Sequence, residues 1–244
     1  MSTQTQSARH ACLRIAGYIG ILTTYFITLR AVLKRVEEHL PSNPALQYRM
    51  DFNSRYVTIW NMLFQMTYCI LSLVCDITSW AKSEAIVPGW LRRYRYTLLC
   101  GGILPLSFGL SSAFWPLYFY DRELIYPKVS DLVMTQFDNY FSHLGVLLFS
   151  LWELALLPKD SVSRSSGKFM HISAIVILYV ATTLYTGYVD IKSFPYDILN
   201  VLRGTVWFWV VMTFVPLVIC CGYHLQWRYR DWVWSCREEK DKIK

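Results

Sequence analysis

The sequence predicts an all-α protein, an integral membrane bundle of six transmembrane helices. Apolar residues make up 54% of its 244 residues and charged residues only 17%, whereas an ordinary soluble domain carries about 25% charged residues. Aromatic residues are abundant at 16%, and Trp and Tyr are typical of the places where helices leave a bilayer. The basic residues lie between long apolar blocks, as they do in the loops of a membrane protein. This composition excludes a disordered chain, a coiled coil and a collagen-like repeat.

Each predicted span has the roughly 20 mostly apolar residues that a helix needs to cross a hydrocarbon core about 30 Å thick. The six stretches are 11–33, 56–78, 97–119, 138–157, 169–189 and 203–225. Arg14 and Arg30 bracket the first stretch, and both can extend from a helix end to the membrane surface. Because no A-x-A cleavage site follows, we interpret this stretch as an uncleaved anchor. The predicted organisation is a six-helix transmembrane domain, 1–225, followed by a basic cytosolic tail, 226–244.

The positions of the basic residues predict that both termini are cytoplasmic. Most of the 24 Lys and Arg residues lie in the two termini and in the 79–96 and 158–168 loops, and cytoplasmic loops carry an excess of Lys and Arg. Lys242 and Lys240 lie three and five residues from the end. This spacing is found in endoplasmic-reticulum retrieval signals, but on so short a match a merely basic solvated tail is the simpler interpretation. The predicted location is therefore the endoplasmic reticulum or the plasma membrane.

The expected partners are the bilayer and a lipid substrate that comes from it. The positive charge is explained by the loops and by a tail whose Arg and Trp residues suit anionic lipid, so nucleic acid is not expected. None of the seven cysteines falls in a predicted outer loop, which indicates that there is no disulfide framework. The sequence leaves the oligomeric state open.

Polar residues interrupt the apolar pattern of the second and fourth predicted spans. Within each span they recur at helical spacing and share one face. In the second span they are Thr58, Asn61, Gln65, Tyr68, Ser72 and Asp76, and in the fourth they are Asn139, His143, Ser150 and Glu153. Such faces cannot point at lipid tails, so both are expected to face the bundle interior or a wet cavity. Hydrogen bonds that only hold helices together explain the two stripes equally well.

His143 and Thr58 are the candidate catalytic residues of these stripes. An ionisable side chain at membrane depth is expensive and usually has a function, and a histidine titrates near neutral pH. The two spans run in the same direction, which places both residues in one leaflet. An imidazole beside a Thr hydroxyl can accept its proton while the oxygen attacks a carbonyl. Taken singly, each residue has a simpler interpretation: a structural histidine, and a hydroxyl bonded to its own helix.

No cofactor or metal is expected. The sequence contains no G-x-S-x-G elbow and no H-E-x-x-H motif, and its five histidines are scattered. Glycines and a proline in the third span suit close helix packing or a kink. Asp76 and Glu153 lie near the opposite ends of their spans from the catalytic pair, and we interpret them as residues of helix packing or of the cytosolic interface.

The segment 114–128, FWPLYFYDRELIYPK, closes the third span with an aromatic belt and a charged turn. It resembles the hallmark of the androgen-induced protein family. Shorter segments extend the resemblance across about residues 50–200, namely 55–58 (RYVT), 74–76 (VCD), 163–167 (SRSSG) and 194–196 (FPY).

The resemblance implies a six-helix membrane hydrolase that cleaves fatty-acid esters of hydroxy fatty acids with a Thr nucleophile and an intramembrane His. By position these residues are Thr58, which opens the second span, and His143, ten residues before Glu153. The chain departs from the family at 138–143, where the first histidine of a Leu-Asn-His sequence is missing, and this leaves the substrate preference open. Asn61, one turn after Thr58, is the expected oxyanion donor.

The predicted function is therefore an intramembrane lipid ester hydrolase. The alternative is a non-enzymatic lipid-binding or regulatory membrane protein, in which the same stripes line a ligand cavity. A transporter or channel lacks support, because the sequence shows neither a ring of charges nor a detectable inverted repeat.

Overall fold

The computed structural model describes residues 3–81 and 86–242, and in these ranges the chain is almost entirely helical and contains no strand. The prediction of an all-α fold is confirmed. The α-helices are α1 (Thr3–His39), α2 (Pro44–Met50), α3 (Val57–Trp80), α4 (Gly89–Leu98), α5 (Leu104–Asp121), α6 (Gln136–Tyr140), α7 (Val146–Leu156), α8 (Ser166–Tyr185), α9 (Asp197–Leu202) and α10 (Val206–Lys242). Three π-helical turns extend or join them, at Leu99–Ile103, Phe141–Gly145 and Thr186–Asp190.

Five helical segments of the described chain are long and apolar enough to cross a membrane. They are His10–Ser42, Val57–Trp80, Gly89–Leu124, Ser166–Asp190 and Val206–Glu239, and they overlap five of the six predicted stretches almost completely. The sixth stretch, 138–157, falls on α6, a π turn and α7. Its buried Asn139, His143 and Glu153 lower its apolar character. The predicted count of six is therefore not exact: the protein is a multi-pass helical membrane protein with five apolar helices and one more polar interior segment.

Ion pairs tie the helices together at two opposite ends of the bundle. At one end Asp76 of α3 binds two arginines, Arg14 Nη2 at 2.8 Å and Arg95 Nη1 at 2.7 Å, and all three side chains are buried. At the other end Arg35 Nη1 of α1 lies 3.0 Å from Asp138 Oδ2 of α6. The first end is the one that the positive charge predicts to be cytoplasmic, and this orientation stays a prediction.

Large apolar side chains fill the centre of the bundle, and glycines let neighbouring helices approach closely. The buried core includes Tyr18, Tyr68, Leu104, Leu154, Ile172 and Tyr223, from six different helices. A Cβ on Gly101 would lie 2.6 Å from the backbone oxygen of Lys168 in α8, and one on Gly109 would overlap Ile219 in α10. These two contacts hold α8 and α10 against the helix that contains α4 and α5.

The last helix continues without a break through the predicted boundary between the membrane domain and the tail. Trp227 is buried, and Glu238 accepts a hydrogen bond from Lys159 at 2.5 Å. The lysines of the predicted retrieval signal lie outside the described residues, since Lys244 and the side chains of Lys240 and Lys242 are not described.

Candidate active site

The two candidate catalytic side chains lie within hydrogen-bond distance of each other. Thr58 lies in the first turn of α3, and His143 lies in the π turn between α6 and α7. The distance between Thr58 Oγ1 and His143 Nε2 is 3.3 Å, although the residues are 85 positions apart in sequence. The pair proposed from the sequence is thus adjacent in the fold.

The hydrogen bonds of His143 define which ring nitrogen carries the proton. His143 Nδ1 lies 2.9 Å from the backbone oxygen of Asn139. A carbonyl oxygen can only accept, so Nδ1 of the neutral ring is the donor and Nε2 is free to accept from the Thr58 hydroxyl. This is the tautomer that a general base for Thr58 requires.

The His143 ring is buried and held in place by groups from two helices. Phe114 of α5 stacks on it with ring centroids 3.6 Å apart and an interplanar angle of 12°. The Ser111 hydroxyl, one turn earlier in α5, donates to the backbone oxygen of His143. The Ser142 hydroxyl donates to the backbone oxygen of Asp138 at 2.8 Å and lies 3.1 Å from His143 Nδ1. The imidazole therefore has little freedom to turn away from Thr58.

A π turn carries the histidine. The Val146 N–H donates to the Phe141 oxygen five residues back, one residue more than in an α-helix. Such a turn inserts one residue into the helix and is frequent at functional sites. It rotates the side chains on one side of the turn relative to those on the other.

A cavity of about 340 Å³ opens beside the pair, and both Thr58 and His143 line it. Most of its lining side chains are aliphatic, and these come from seven α-helices: α1, α2, α3, α5, α8, α9 and α10. They include Leu29, Met62, Leu106, Val176, Met212 and Ile219. A concave, largely apolar surface with a few convergent polar groups is what a site for a lipid chain requires.

None of the remaining polar residues of the two stripes lines the cavity, and several of them connect helices. The Asn61 amide donates to Ser107 Oγ at 2.9 Å, and Asn61 is fully buried away from the cavity lining. Its amide is therefore not directed at a substrate, contrary to the expectation that it stabilises an oxyanion. Glu153 Oε1 accepts from the hydroxyls of Tyr18 and Tyr68 at 2.6 and 2.7 Å.

Two tyrosines of the cavity were not predicted as site residues. The Tyr126 hydroxyl is buried and has no hydrogen-bond partner within the described part of the chain. The Tyr196 hydroxyl accepts from the Val57 N–H at 3.3 Å, directly beside Thr58. Both line the cavity. Both also lie in segments that carry the family resemblance, 114–128 and 194–196. This resemblance is the sequence signal that could have identified the two tyrosines.

The fold and the site define a class: a multi-pass helical membrane protein with a partly buried Thr–His pair beside an apolar cavity. Residues 17–227 match the model of the FAR-17a/AIG1-like protein family, and the chain belongs to this family.

Several curated proteins are similar to this chain. The androgen-dependent TFPI-regulating protein of Homo sapiens is 26% identical over 181 residues, which cover 72% of this chain and 77% of the relative. The Rattus norvegicus protein of the same name is 29% identical over 136 residues, 53% of this chain and 59% of the relative. The androgen-induced gene 1 protein of Homo sapiens is 35% identical over 85 residues, 35% of this chain and 34% of the relative. No solved structure matches the chain.

Proposed function

We propose that this protein is an intramembrane lipid ester hydrolase that cleaves fatty-acid esters of hydroxy fatty acids, with Thr58 as nucleophile and His143 as general base. The observation that carries the proposal is the 3.3 Å contact between Thr58 Oγ1 and His143 Nε2 beside the cavity. The hydrogen bond from His143 Nδ1 to Asn139 supports it, because a third group then orients the base. The family resemblance of the sequence suggests the substrate class.

In the first half of the reaction, His143 Nε2 accepts the Thr58 proton while Thr58 Oγ1 forms a bond to the ester carbonyl carbon. The carbonyl π pair moves onto oxygen and gives a tetrahedral oxyanion. When this pair returns, the bond to the ester oxygen breaks. The leaving hydroxy acid takes the proton from Nε2, and the acyl group stays on Thr58.

In the second half, a water molecule takes the place of the alcohol. His143 accepts its proton as the water oxygen attacks the acyl carbon, and the tetrahedral intermediate then collapses. The bond to Thr58 Oγ1 breaks, the proton returns to Thr58, and a fatty acid leaves. The sum is ester plus water to acid plus alcohol, with no cofactor.

The second candidate function is a non-enzymatic lipid-binding or regulatory protein. Two observations favour it: the cavity could hold a lipid without chemistry, and the name of one human relative describes that protein as regulating TFPI. In this case Thr58 and His143 would only bond to each other.

Hydrolysis of a branched fatty-acid ester by membranes that carry matched amounts of each variant separates the two functions. We expect Thr58→Ala to abolish turnover, because it removes the nucleophile. His143→Ala should lower the rate by about 100-fold or more, because general base catalysis contributes about 10²–10⁴. Thr67→Ala is the matched control, since Thr67 is an exposed threonine of α3 whose hydroxyl bonds only to its own helix.

Labelling with a fluorophosphonate probe gives a second readout. The wild type and the Thr67→Ala variant should be labelled on Thr58, and the Thr58→Ala variant should not. A wild type that neither hydrolyses the ester nor reacts with the probe would favour the lipid-binding function. Equal hydrolysis by all four proteins would show that the Thr–His pair is not catalytic.

A further inference from the structure

The proposed reaction needs a hydrogen-bond donor for the oxyanion that forms on the carbonyl oxygen. Removing one such donor from a hydrolase slows turnover by about 10²–10³. The Asn61 amide is bonded to Ser107 and does not reach the cavity. The donor must therefore come from another group near the start of α3.

Tyr196 is held against the residues that precede Thr58. Its hydroxyl oxygen accepts from the Val57 backbone N–H at 3.3 Å. Its ring packs edge-on against the Tyr56 ring, with centroids 5.5 Å apart. Tyr196 lines the same cavity as Thr58 and His143. The phenol is thus positioned by the two residues on the N-terminal side of the nucleophile.

The Tyr196 hydroxyl donates its proton to none of Val57, Tyr56 and Tyr179. The Tyr179 hydroxyl also donates to the Tyr196 oxygen, at 3.3 Å. Since Tyr196 accepts from both Val57 and Tyr179, its own O–H remains to be donated, and it has no acceptor among the residues that the structure describes. Two donors on one oxygen polarise its O–H and make it a better donor. Burial raises the pKa of Tyr196 well above its usual value, so the hydroxyl keeps its proton.

The backbone next to Tyr196 offers a second free donor. Thr58 is the second residue of α3, and the N–H groups at the start of a helix have no partner within it. The Ile59 and Trp60 N–H groups donate to the Tyr56 oxygen at 3.1 and 3.4 Å. For the Thr58 N–H the described chain provides no acceptor.

We propose that the Tyr196 hydroxyl, together with the Thr58 N–H, donates hydrogen bonds to the oxyanion of the tetrahedral intermediates. This inference rests on the proposed hydrolase function. Neither the Tyr196 hydroxyl nor the Thr58 N–H loses its proton. The proton that moves is that of Thr58 Oγ1, which is transferred to His143 Nε2. The π pair of the carbonyl becomes a lone pair on the carbonyl oxygen, to which Tyr196 donates. When the pair returns and the ester bond breaks, the two hydrogen bonds weaken again.

The Tyr196→Phe variant tests this role because it removes only the hydroxyl and keeps the ring. We expect its kcat to fall by about 10²–10³ with KM within a few-fold of wild type, since the donor acts on the transition state. Tyr188→Phe is the matched control. Tyr188 packs on Phe194 close to Tyr196 in sequence but does not line the cavity, so this variant should turn over like wild type.

A double variant separates catalysis from structural support. If Tyr179 acts by polarising the Tyr196 hydroxyl, Tyr179→Phe should lower kcat in the wild-type background and have no further effect on kcat in the Tyr196→Phe background. The rate at which a fluorophosphonate labels Thr58 should fall with the Tyr196→Phe turnover rate, because the phosphoryl oxygen occupies the same site. Thermal unfolding in detergent confirms that each variant is folded.

The outcomes distinguish this inference from the function on which it rests. If wild type is active, the Thr58→Ala and His143→Ala variants are inactive and Tyr196→Phe turns over like wild type, the role of Tyr196 is wrong and the hydrolase stands. A rise in KM with unchanged kcat would also overturn it, by assigning Tyr196 to substrate binding. An inert wild type would overturn the hydrolase and this inference together.

Discussion

His143 is oriented by a neutral group, and this distinguishes the site from a triad that ends in a carboxylate. The Asn139 oxygen fixes the tautomer, but it stabilises an imidazolium less than a carboxylate would. The two carboxylates of the same helical segment are bonded elsewhere: Asp138 to Arg35, and Glu153 to tyrosine hydroxyls. In the proposed hydrolase, stabilisation of the transition state would therefore depend strongly on the oxyanion donors.

The sequence could predict the two catalytic candidates but not their geometry. Thr58 and His143 stood out because polar residues are rare in apolar spans, and the family resemblance chose them from ten stripe residues. The proton position on His143 depends on a backbone oxygen, and the ring stacking depends on Phe114 from another helix. Asn61 was misassigned because spacing shows which face a residue shares, while only packing shows which neighbour it meets.

Tyr126 provides a prediction about ligand binding. Tyr126 lines the cavity, and its buried hydroxyl has no partner among the described residues. Its ring lies 6.2 Å from that of Phe114, which covers His143. A polar group of the bound lipid would satisfy it. A hydrogen bond contributes about 0.5–1.5 kcal/mol, so Tyr126→Phe should raise KM by roughly 3–10-fold and leave kcat unchanged.

Steady-state hydrolysis across a range of ester concentrations measures this effect. Tyr118→Phe is the control, since the Tyr118 ring contacts the Tyr126 ring but does not line the cavity. An unchanged KM in Tyr126→Phe would contradict the prediction, and a loss of kcat alone would place this hydroxyl at the reacting carbonyl.

At the scale of the elements, long helices were predictable and local changes of helix register were not. Apolar blocks predicted six spans, and five of these match apolar helices of the structure, because length and composition decide whether a helix can cross a bilayer. The π turn at Phe141–Gly145 adds one residue and leaves composition almost unchanged, so nothing in the sequence pattern marks it. The helical segment that contains the third predicted span begins at Gly89, before the predicted start at 97. The sequence pattern did not predict this extension, because the Trp and Arg residues at its start resemble a loop.

Gly101 provides a prediction about helix packing. A Cβ at this position would lie 2.6 Å from the backbone oxygen of Lys168, and a backbone atom cannot move aside as a side chain can. Gly101→Ala should therefore destabilise the protein by about 1–3 kcal/mol, the usual range for overpacking. Gly20→Ala is the control, since a Cβ on Gly20 meets no atom within 4 Å. There the higher helix propensity of Ala should leave stability equal or slightly raised.

Thermal unfolding of the two glycine variants in the same detergent compares them directly. The expected order of melting temperatures is Gly101→Ala below wild type, and Gly20→Ala at or above wild type. If Gly101→Ala melts at the wild-type temperature, then the stability of the protein does not depend on the close contact between α8 and the helix that contains Gly101.

At the scale of the whole molecule, the candidate site and the buried charged cluster lie toward opposite ends of the bundle. The Thr–His pair and the cavity lie toward the end where α3 begins, beside the short helices α2 and α9. Near the other end of α3, Asp76 joins α1 and α4 through two buried arginines. Asp76 lies 18 residues after Thr58, about 27 Å along the helix axis at about 1.5 Å per residue. The charged cluster can thus fix the helix positions without touching the candidate Thr–His pair.

Removing the shared carboxylate should destabilise the fold and spare the chemistry. Asp76→Asn leaves Arg14 and Arg95 buried without a counter-charge, and breaking a buried ion pair costs about 3–5 kcal/mol. Glu38→Gln is the control, because its pair with Lys34 is exposed and such pairs contribute about 0.3–0.5 kcal/mol. We expect a clear loss of melting temperature and of folded yield only in Asp76→Asn.

The cluster is remote from Thr58 and His143, so the folded fraction of the Asp76→Asn variant should keep the wild-type kcat, measured per probe-labelled molecule. A kcat that falls as far as in His143→Ala would show instead that the two ends are coupled through α3.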